Sequence, residues 1–316
     1  YVTLGRKTKT RICICYLDNI INKQLLNELY KRLSQIDIDG VLDSNYISEL
    51  IRDSGATPFE VVGHTERPDI VAANLLEGRV AIFVDGSPVV LTLPYLFLEN
   101  FQNDEDYYLN FFYASFSRLL RYLGFFITIA VPAFYVSIVA FQREMLPSTL
   151  LISIAIERQG VPLPASLEAF IMLIIFDILR ETGIRMPANI GQTLSIVGAL
   201  VLGEAAVEAR LISAPMIIIV AITGITNLLV PRLRAPVILL RYLFLALAAI
   251  FGIYGVVLGF SWIMIHIINL RSLTVPQFIP ISSLNSEEFK DFFVRQPMWQ
   301  LKKRPNILTS NKTRIK

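Results

Sequence analysis

The sequence predicts an α-helical polytopic membrane domain, with about four spans plus a re-entrant or broken helix, joined to a small soluble α/β N-terminal domain. Three observations carry this reading. The chain is 54% apolar and 17% charged, against about 25% charged for ordinary soluble domains. Its charges are unevenly spread, falling on about 11% of residues 119–270 and about 24% of the flanks. The hydrophobic period changes several times before residue 102, and long uncharged apolar runs follow it.

The expected division is a soluble domain over 1–110, a membrane domain over 111–270 and a basic cytoplasmic tail over 271–316. With the membrane block counted from 119, the three parts carry about −5, +2 and +6. The net charge of +3 is thus a property of the tail, and no nucleic-acid partner is expected. The chain opens on a basic segment with no apolar signal core behind it, so no secretory signal is expected and the true N-terminus is expected to lie further upstream.

In the soluble part, Arg11 to Leu17 alternates like a strand, with Cys13 and Cys15 on one half-buried face rather than in a disulfide or metal site. Asn22 to Ile36 carries Leu25, Leu26, Leu29 and Leu33, the apolar face of an amphipathic helix. Ser44 to Ile51 is a shorter helical stretch. Arg79 to Val84 and Pro88 to Leu93 flank Asp85-Gly86, a dipeptide suited to a tight hairpin. His64 sits in the segment Gly63 to Asp69 without a second imidazole or a cysteine at ligand spacing, which marks it as a loop-bracing or solvent-facing residue. Asp104-Glu105-Asp106, ahead of Tyr107 and Tyr108, reads as a solvated helix start. No phosphate loop, nucleophile elbow or HExxH occurs, and no nucleophile, base and orienting group converge. An enzyme is therefore not expected, nor a cofactor or a resident metal.

A span needs about 20 largely apolar residues. Tyr122 to Gln142, Leu211 to Pro231 and Tyr242 to Leu270 qualify without any charge, the last being longer than one crossing requires. Leu163 to Leu179 is apolar but interrupted by Glu168 and Asp177, and is expected as the fourth crossing. Carboxylates at that depth are costly, which makes both candidates for function. The spacing of Asp177, Arg180, Glu181 and Arg185 equally allows a neutralised helix end. Pro187 to Gly203, with its glycines and polar residues, predicts a re-entrant or broken helix. There Asn189, Gln192 and Thr193 share a face that either lines water or packs, and Glu204 and Glu208 follow one turn apart, so these five are candidate pore or gate residues. Gly252, Gly255 and Gly259 predict close helix packing. Arg118 and Arg121 before the first span and Lys302, Lys303 and Arg304 in the tail predict cytoplasmic ends and an even number of crossings, although Arg232, Arg234 and Arg241 then fall outside.

Several segments together resemble a known family. They are Thr65-Glu66-Arg67-Pro68-Asp69, the run Gly78 to Gly86, Glu105-Asp106-Tyr107-Tyr108, the run Ile196 to Ala209, and in the tail Asp291, Arg295-Gln296-Pro297-Met298-Trp299 and Arg304-Pro305. This set resembles the A-subunit family of GerA-type spore germinant receptors, which includes the SpoVAF paralogue, over nearly the whole chain. Against that family the chain looks like a truncated copy lacking part of its soluble domain. The family pattern also leads one to expect His where Gln142 stands, which counts against an ionisable role there. The resemblance implies a multi-pass protein of the endospore inner membrane, with a B-type transporter-like subunit and a C-type lipoprotein as partners. It also implies a homo-oligomer around a nutrient-gated pathway for monovalent cations. The competing readings are a SpoVAF-like accessory channel subunit, a secondary transporter using the intramembrane acids, and a non-conducting membrane scaffold.

Overall fold

The structure is a computed structural model and describes residues 1–187, 191, 198, 201, 203–278, 291, 293–300, 304 and 309. The chain divides into two compact units, one made of 1–119 with 264–316 and the other of 120–263.

In the first unit, β1 (Val2–Leu4), β2 (Thr10–Cys15), β3 (Gly63–Thr65), β4 (Val80–Val84) and β5 (Val90–Leu93) form an antiparallel sheet in the order β1-β2-β4-β5-β3. Period-two alternation decides which side chains go where. Ile12, Ile14, Ile82 and Leu91 face one side and share a core with α1 (Lys23–Ser34) and α2 (Ser44–Leu50). Ala81 and Val90 face the other side, against Val71 of α3 (Pro68–Leu76). Cys13 and Cys15 are half-buried free thiols. The Asn22 side chain caps α1 by accepting from the Gln24 N–H at 3.0 Å, and the leucine face buries Leu25, Leu29 and Leu33. Each fully buried leucine stabilises the unit by about 1.5–3 kcal/mol. The expected β4–β5 hairpin turns at Gly86, whose φ of +84° is the left-handed conformation that favours glycine. His64 lies within β3, opposite Leu91, rather than in a loop, and its imidazole stands 3.8 Å from the Glu60 carboxylate.

The segment after 270 also contributes to this unit. Short strands β6 (Arg271–Ser272) and β7 (Val275–Pro276) pair, and Leu273 and Val275 join the same core as Ile12 and Leu29. The buried Ser272 hydroxyl donates to the Val61 carbonyl at 2.5 Å and accepts from the Tyr95 N–H at 2.9 Å.

The second unit is helical. All but the last two residues of the run Tyr122 to Gln142 lie in α4, which spans Phe111–Ala140 without interruption despite Pro132. After it come α5 (Ser148–Glu157) and α6 (Ala165–Arg185), the latter containing the run Leu163 to Leu179 almost entirely. Beyond 203 lie α7 (Ala214–Thr226), α8 (Arg234–Phe251) and α9 (Ile253–Asn269). Among the described residues, Phe111–Ala140 and Pro231–Phe251 are long and apolar enough to cross a membrane. Of the four expected spans, Leu163 to Leu179 falls in α6, which is not one of these two, and two others take a different form. Leu211 to Pro231 holds a helix of only 13 residues, about 20 Å at 1.5 Å per residue, against about 30 Å of hydrocarbon. Tyr242 to Leu270 is not one helix, because Gly252, at φ +61° and ψ −142°, separates α8 from α9. The two helices fold back on one another there. The Phe244 and Phe260 rings lie 4.7 Å apart, whereas a continuous helix would hold those residues about 24 Å apart.

Candidate functional site

The buried charges of the second unit begin in α6. Pro164 accepts no part of the chain's own donors through a side chain, so α6 starts without a side-chain cap and brings Glu168 into its first turn, where a carboxylate is favoured by the helix dipole. Glu168 is 0% exposed. Its Oε2 accepts from Arg158 Nη1 at 2.6 Å, and its Oε1 accepts from the Ser213 N–H at 2.6 Å and the Ser213 hydroxyl at 2.5 Å. Ser213 is the N-cap of α7, so this carboxylate ties the starts of two helices to the end of α5.

Two turns further along α6, Asp177 Oδ2 accepts from Arg241 Nη2 and from the Tyr242 hydroxyl, the latter at 2.6 Å. Arg241 is fully buried in α8, and its guanidinium lies 5.2 Å from the centre of the Tyr242 ring. The sequence spacing pointed to Arg180 as a partner of Asp177. The neighbouring helix supplies the bonded arginine instead, and Arg185 bonds Glu181 at 2.8 Å one turn below.

Glu204 and Glu208 lie in a helical stretch over 203–208, and both are exposed. Asn189, Gln192 and Thr193 lie outside the described residues. Gly252 is the break between α8 and α9, and a Cβ on Gly255 would stand 2.2 Å from the Leu247 carbonyl oxygen. A Cβ on Gly259 would meet Phe244 and Leu247 side chains at 3.1 Å. Gln142 sits against Gly252, its Oε1 accepting from the Ile253 N–H at 3.4 Å.

The first unit gathers several of the quoted sequence motifs. Asp106 is 1% exposed and its Oδ2 accepts from Arg118 Nε at 3.3 Å, so the acidic run 104–106 is not wholly solvated and belongs to a 3₁₀ turn ahead of α4. Arg118, itself fully buried, also reaches Asp291, whose carboxylate is 3.4 Å from Nη1. Tyr107 donates to Asp291 Oδ2 at 2.5 Å, and burial followed by the nearby Asp291 charge holds that phenol protonated, well above its ordinary range. Arg295 lies over the Tyr107 ring at 5.6 Å. Tyr108 donates to Asp69 Oδ2 at 2.7 Å, and Arg67 forks onto the same carboxylate. Motifs from three parts of the sequence therefore meet around Asp106, Tyr107 and Tyr108. The roles of Arg158, Ser213, Arg118 and Asp291 as partners escaped the sequence reading. The available signal was that an arginine beside an apolar run has to find an acid.

Among the described residues, no group of three or more His, Cys, Asp or Glu could hold a metal ion. The family model described as Bacillus/Clostridium GerA spore germination protein matches residues 1–307. Spore germination protein KA of Bacillus subtilis (strain 168) is 46% identical over 307 residues, covering 96% of this chain and 56% of that protein. The uncharacterized membrane protein YfkQ of the same organism is 44% identical over 304 residues, covering 96% of this chain and 59% of its own length. The chain thus spans less than two thirds of either relative. A crystal structure of the N-terminal domain of the A subunit of the Bacillus megaterium spore germinant receptor GerK3 is 51% identical, covers 30% of this chain and 76% of that one, and has a TM-score of 0.24. With several of its motifs meeting in the first unit and the match running over 1–307, the chain belongs to the GerA family of spore germination proteins.

Proposed function

We propose that this chain acts as the A subunit of a spore germinant receptor in the inner membrane of the endospore. In this reading it oligomerises and contributes to a nutrient-gated pathway for monovalent cations, beside a B-type transporter-like subunit and a C-type lipoprotein. Family membership supports the germination role, and two helices long and apolar enough to cross a membrane support the location.

The observation that favours a particular set of pathway residues is the contrast among the acids of the second unit. Glu168 and Asp177 are taken up by Arg158, Ser213, Arg241 and Tyr242, which makes them structural. Glu204 and Glu208 are exposed and one helical turn apart. Two acids on one face raise the local cation concentration, which is what the entrance of a cation pathway requires. They follow Asn189, Gln192 and Thr193 closely in the sequence, and we assign those three to the same pathway. The bonded state of Glu168 and Asp177 also favours the second reading, a non-conducting scaffold, and one experiment separates the two. Spores carrying Glu204→Ala or Gln192→Leu, with normal protein levels, are expected to release monovalent cations abnormally after nutrient is added. Unchanged release in both variants removes these residues from the pathway and leaves the scaffold.

A further inference from the structure

The base of α4 carries an aromatic face in the first unit. Phe112, Tyr113, Phe116 and Leu119 fall within about 120° around the helix, at about 100° per residue. Phe112, Tyr113 and Phe116 are 72%, 61% and 58% exposed. The Phe112 ring lies 4.0 Å from that of Phe111, which meets Trp299, itself 65% exposed, at 6.0 Å. Arg118 and Arg121 project away from this face, and Arg118 is held by Asp106 and Asp291, so no charge on α4 interrupts it.

Its area matches an interface. An aromatic side chain presents about 150–250 Å², so these four aromatics leave about 500 Å² uncovered. That is near the upper end for a patch on a monomer. A standard interface takes about 800 Å² from each partner, of which about 60% is apolar. The aromatic face supplies that apolar share by itself. The Tyr113 hydroxyl and the Trp299 indole N–H add polar tips, which suit the wet rim of a protein contact.

Distance along α4 decides between lipid and protein as the cover. The charge-free part of α4, from Tyr122 to Ala140, is about 28 Å long and fills the hydrocarbon. Phe112 then lies about 15 Å before Tyr122, and Phe116 about 9 Å. The headgroup layer is only about 5–8 Å deep on each side, so lipid does not reach either ring. Copies inserted in one membrane in the same orientation hold their aromatic faces at the same height above it. Each copy therefore meets its neighbours with this face at the level where an apolar partner is needed.

We propose that a second copy of this chain covers this face, the base of α4 with Trp299 forming the contact between neighbouring copies outside the bilayer. The proposal rests on the membrane location and the oligomer given under Proposed function, and adds the surface that joins the copies.

The test places the photoreactive p-benzoylphenylalanine at Phe112 in the full chain and irradiates intact membranes. A product of twice the chain's mass is expected, with every peptide from this chain. The same probe at Tyr46, exposed on α2, is expected to give none. In liposomes, Phe116→Glu is expected to raise the dissociation constant between copies about tenfold; its side chain is more than half exposed, so no core is disturbed. Adducts of Phe112 with lipid or with other proteins alone, equal self-adducts from both positions, or unchanged association in Phe116→Glu overturn the proposal. An oligomer that persists without self-adducts at Phe112 overturns this surface alone. A chain that stays monomeric in the membrane overturns the oligomer as well, and one recovered from the aqueous phase without detergent overturns the membrane location and the proposal with it.

Discussion

Glu168 shows how a single buried charge fixes local structure. Its three bonds satisfy both carboxylate oxygens, and removing it takes the anionic partner from Arg158 and the acceptor from the Ser213 N–H and hydroxyl. Breaking one side of a buried pair costs about 3–5 kcal/mol. Glu168→Ala is therefore expected to lower the thermal midpoint of the detergent-solubilised chain by several degrees, and an unchanged midpoint would show that the pair contributes nothing net. Asp69 gives a residue-scale test in pH. Its carboxyl is held below the usual range first by the Arg67 fork and then by the Tyr108 hydroxyl. A lowered folded pKa means that the stabilisation is complete above about pH 4, the unfolded value, and is lost as pH falls toward the folded pKa. A carbon-13 titration of the Asp69 carboxyl is expected to move upward in Arg67→Gln and less in Tyr108→Phe; equal curves in all three proteins would contradict the assignment. Of the charged residues, Glu168 and Asp177 stood out in the sequence because charge is scarce in apolar runs. Their partners did not, because helical spacing favours Arg180 for Asp177 and cannot report that Arg241, on another helix, comes closer.

At the scale of elements, the α8–α9 break depends on glycines that a hydropathy reading passes over. Glycine is common in membrane helices, so Tyr242 to Leu270 reads as one long apolar run although Gly252 takes a left-handed φ within it. The three glycines differ in what surrounds them, and that difference is testable. A Cβ at Gly255 meets a backbone carbonyl at 2.2 Å, which cannot yield cheaply, whereas at Gly259 it meets side-chain ends at 3.1 Å. Gly255→Ala is expected to destabilise by about 1–3 kcal/mol and Gly259→Ala by less, measured as thermal unfolding in detergent. The reverse order would mean that the helices are not packed at Gly255. The elements of the first unit were far more legible. The leucine face of α1 and the Asp85-Gly86 turn are local signals, and here the tertiary structure agrees with them.

For the molecule as a whole, the relation between the tail and the N-terminal region was the least visible in sequence. Val275 enters the core built around Ile12 and Leu29, and Asp291 meets Arg118 and Tyr107, although 173 positions separate Arg118 from Asp291. Composition reports only that the tail is basic; no period in the sequence records a pairing at that range. Arg118→Met is expected to leave Asp106 and Asp291 without their shared cation and to expose residues around 291–300 to protease in the otherwise folded chain; resistance equal to the wild type would contradict that role. The broadest claim concerns ion movement. Its most direct measurement is potassium flux from liposomes containing the protein as the proposed A subunit with the proposed B- and C-type partners, before and after germinant is added. The account expects germinant-dependent flux that Glu204→Ala alters; an ordered, membrane-inserted assembly that stays impermeable with germinant and partners present would contradict it.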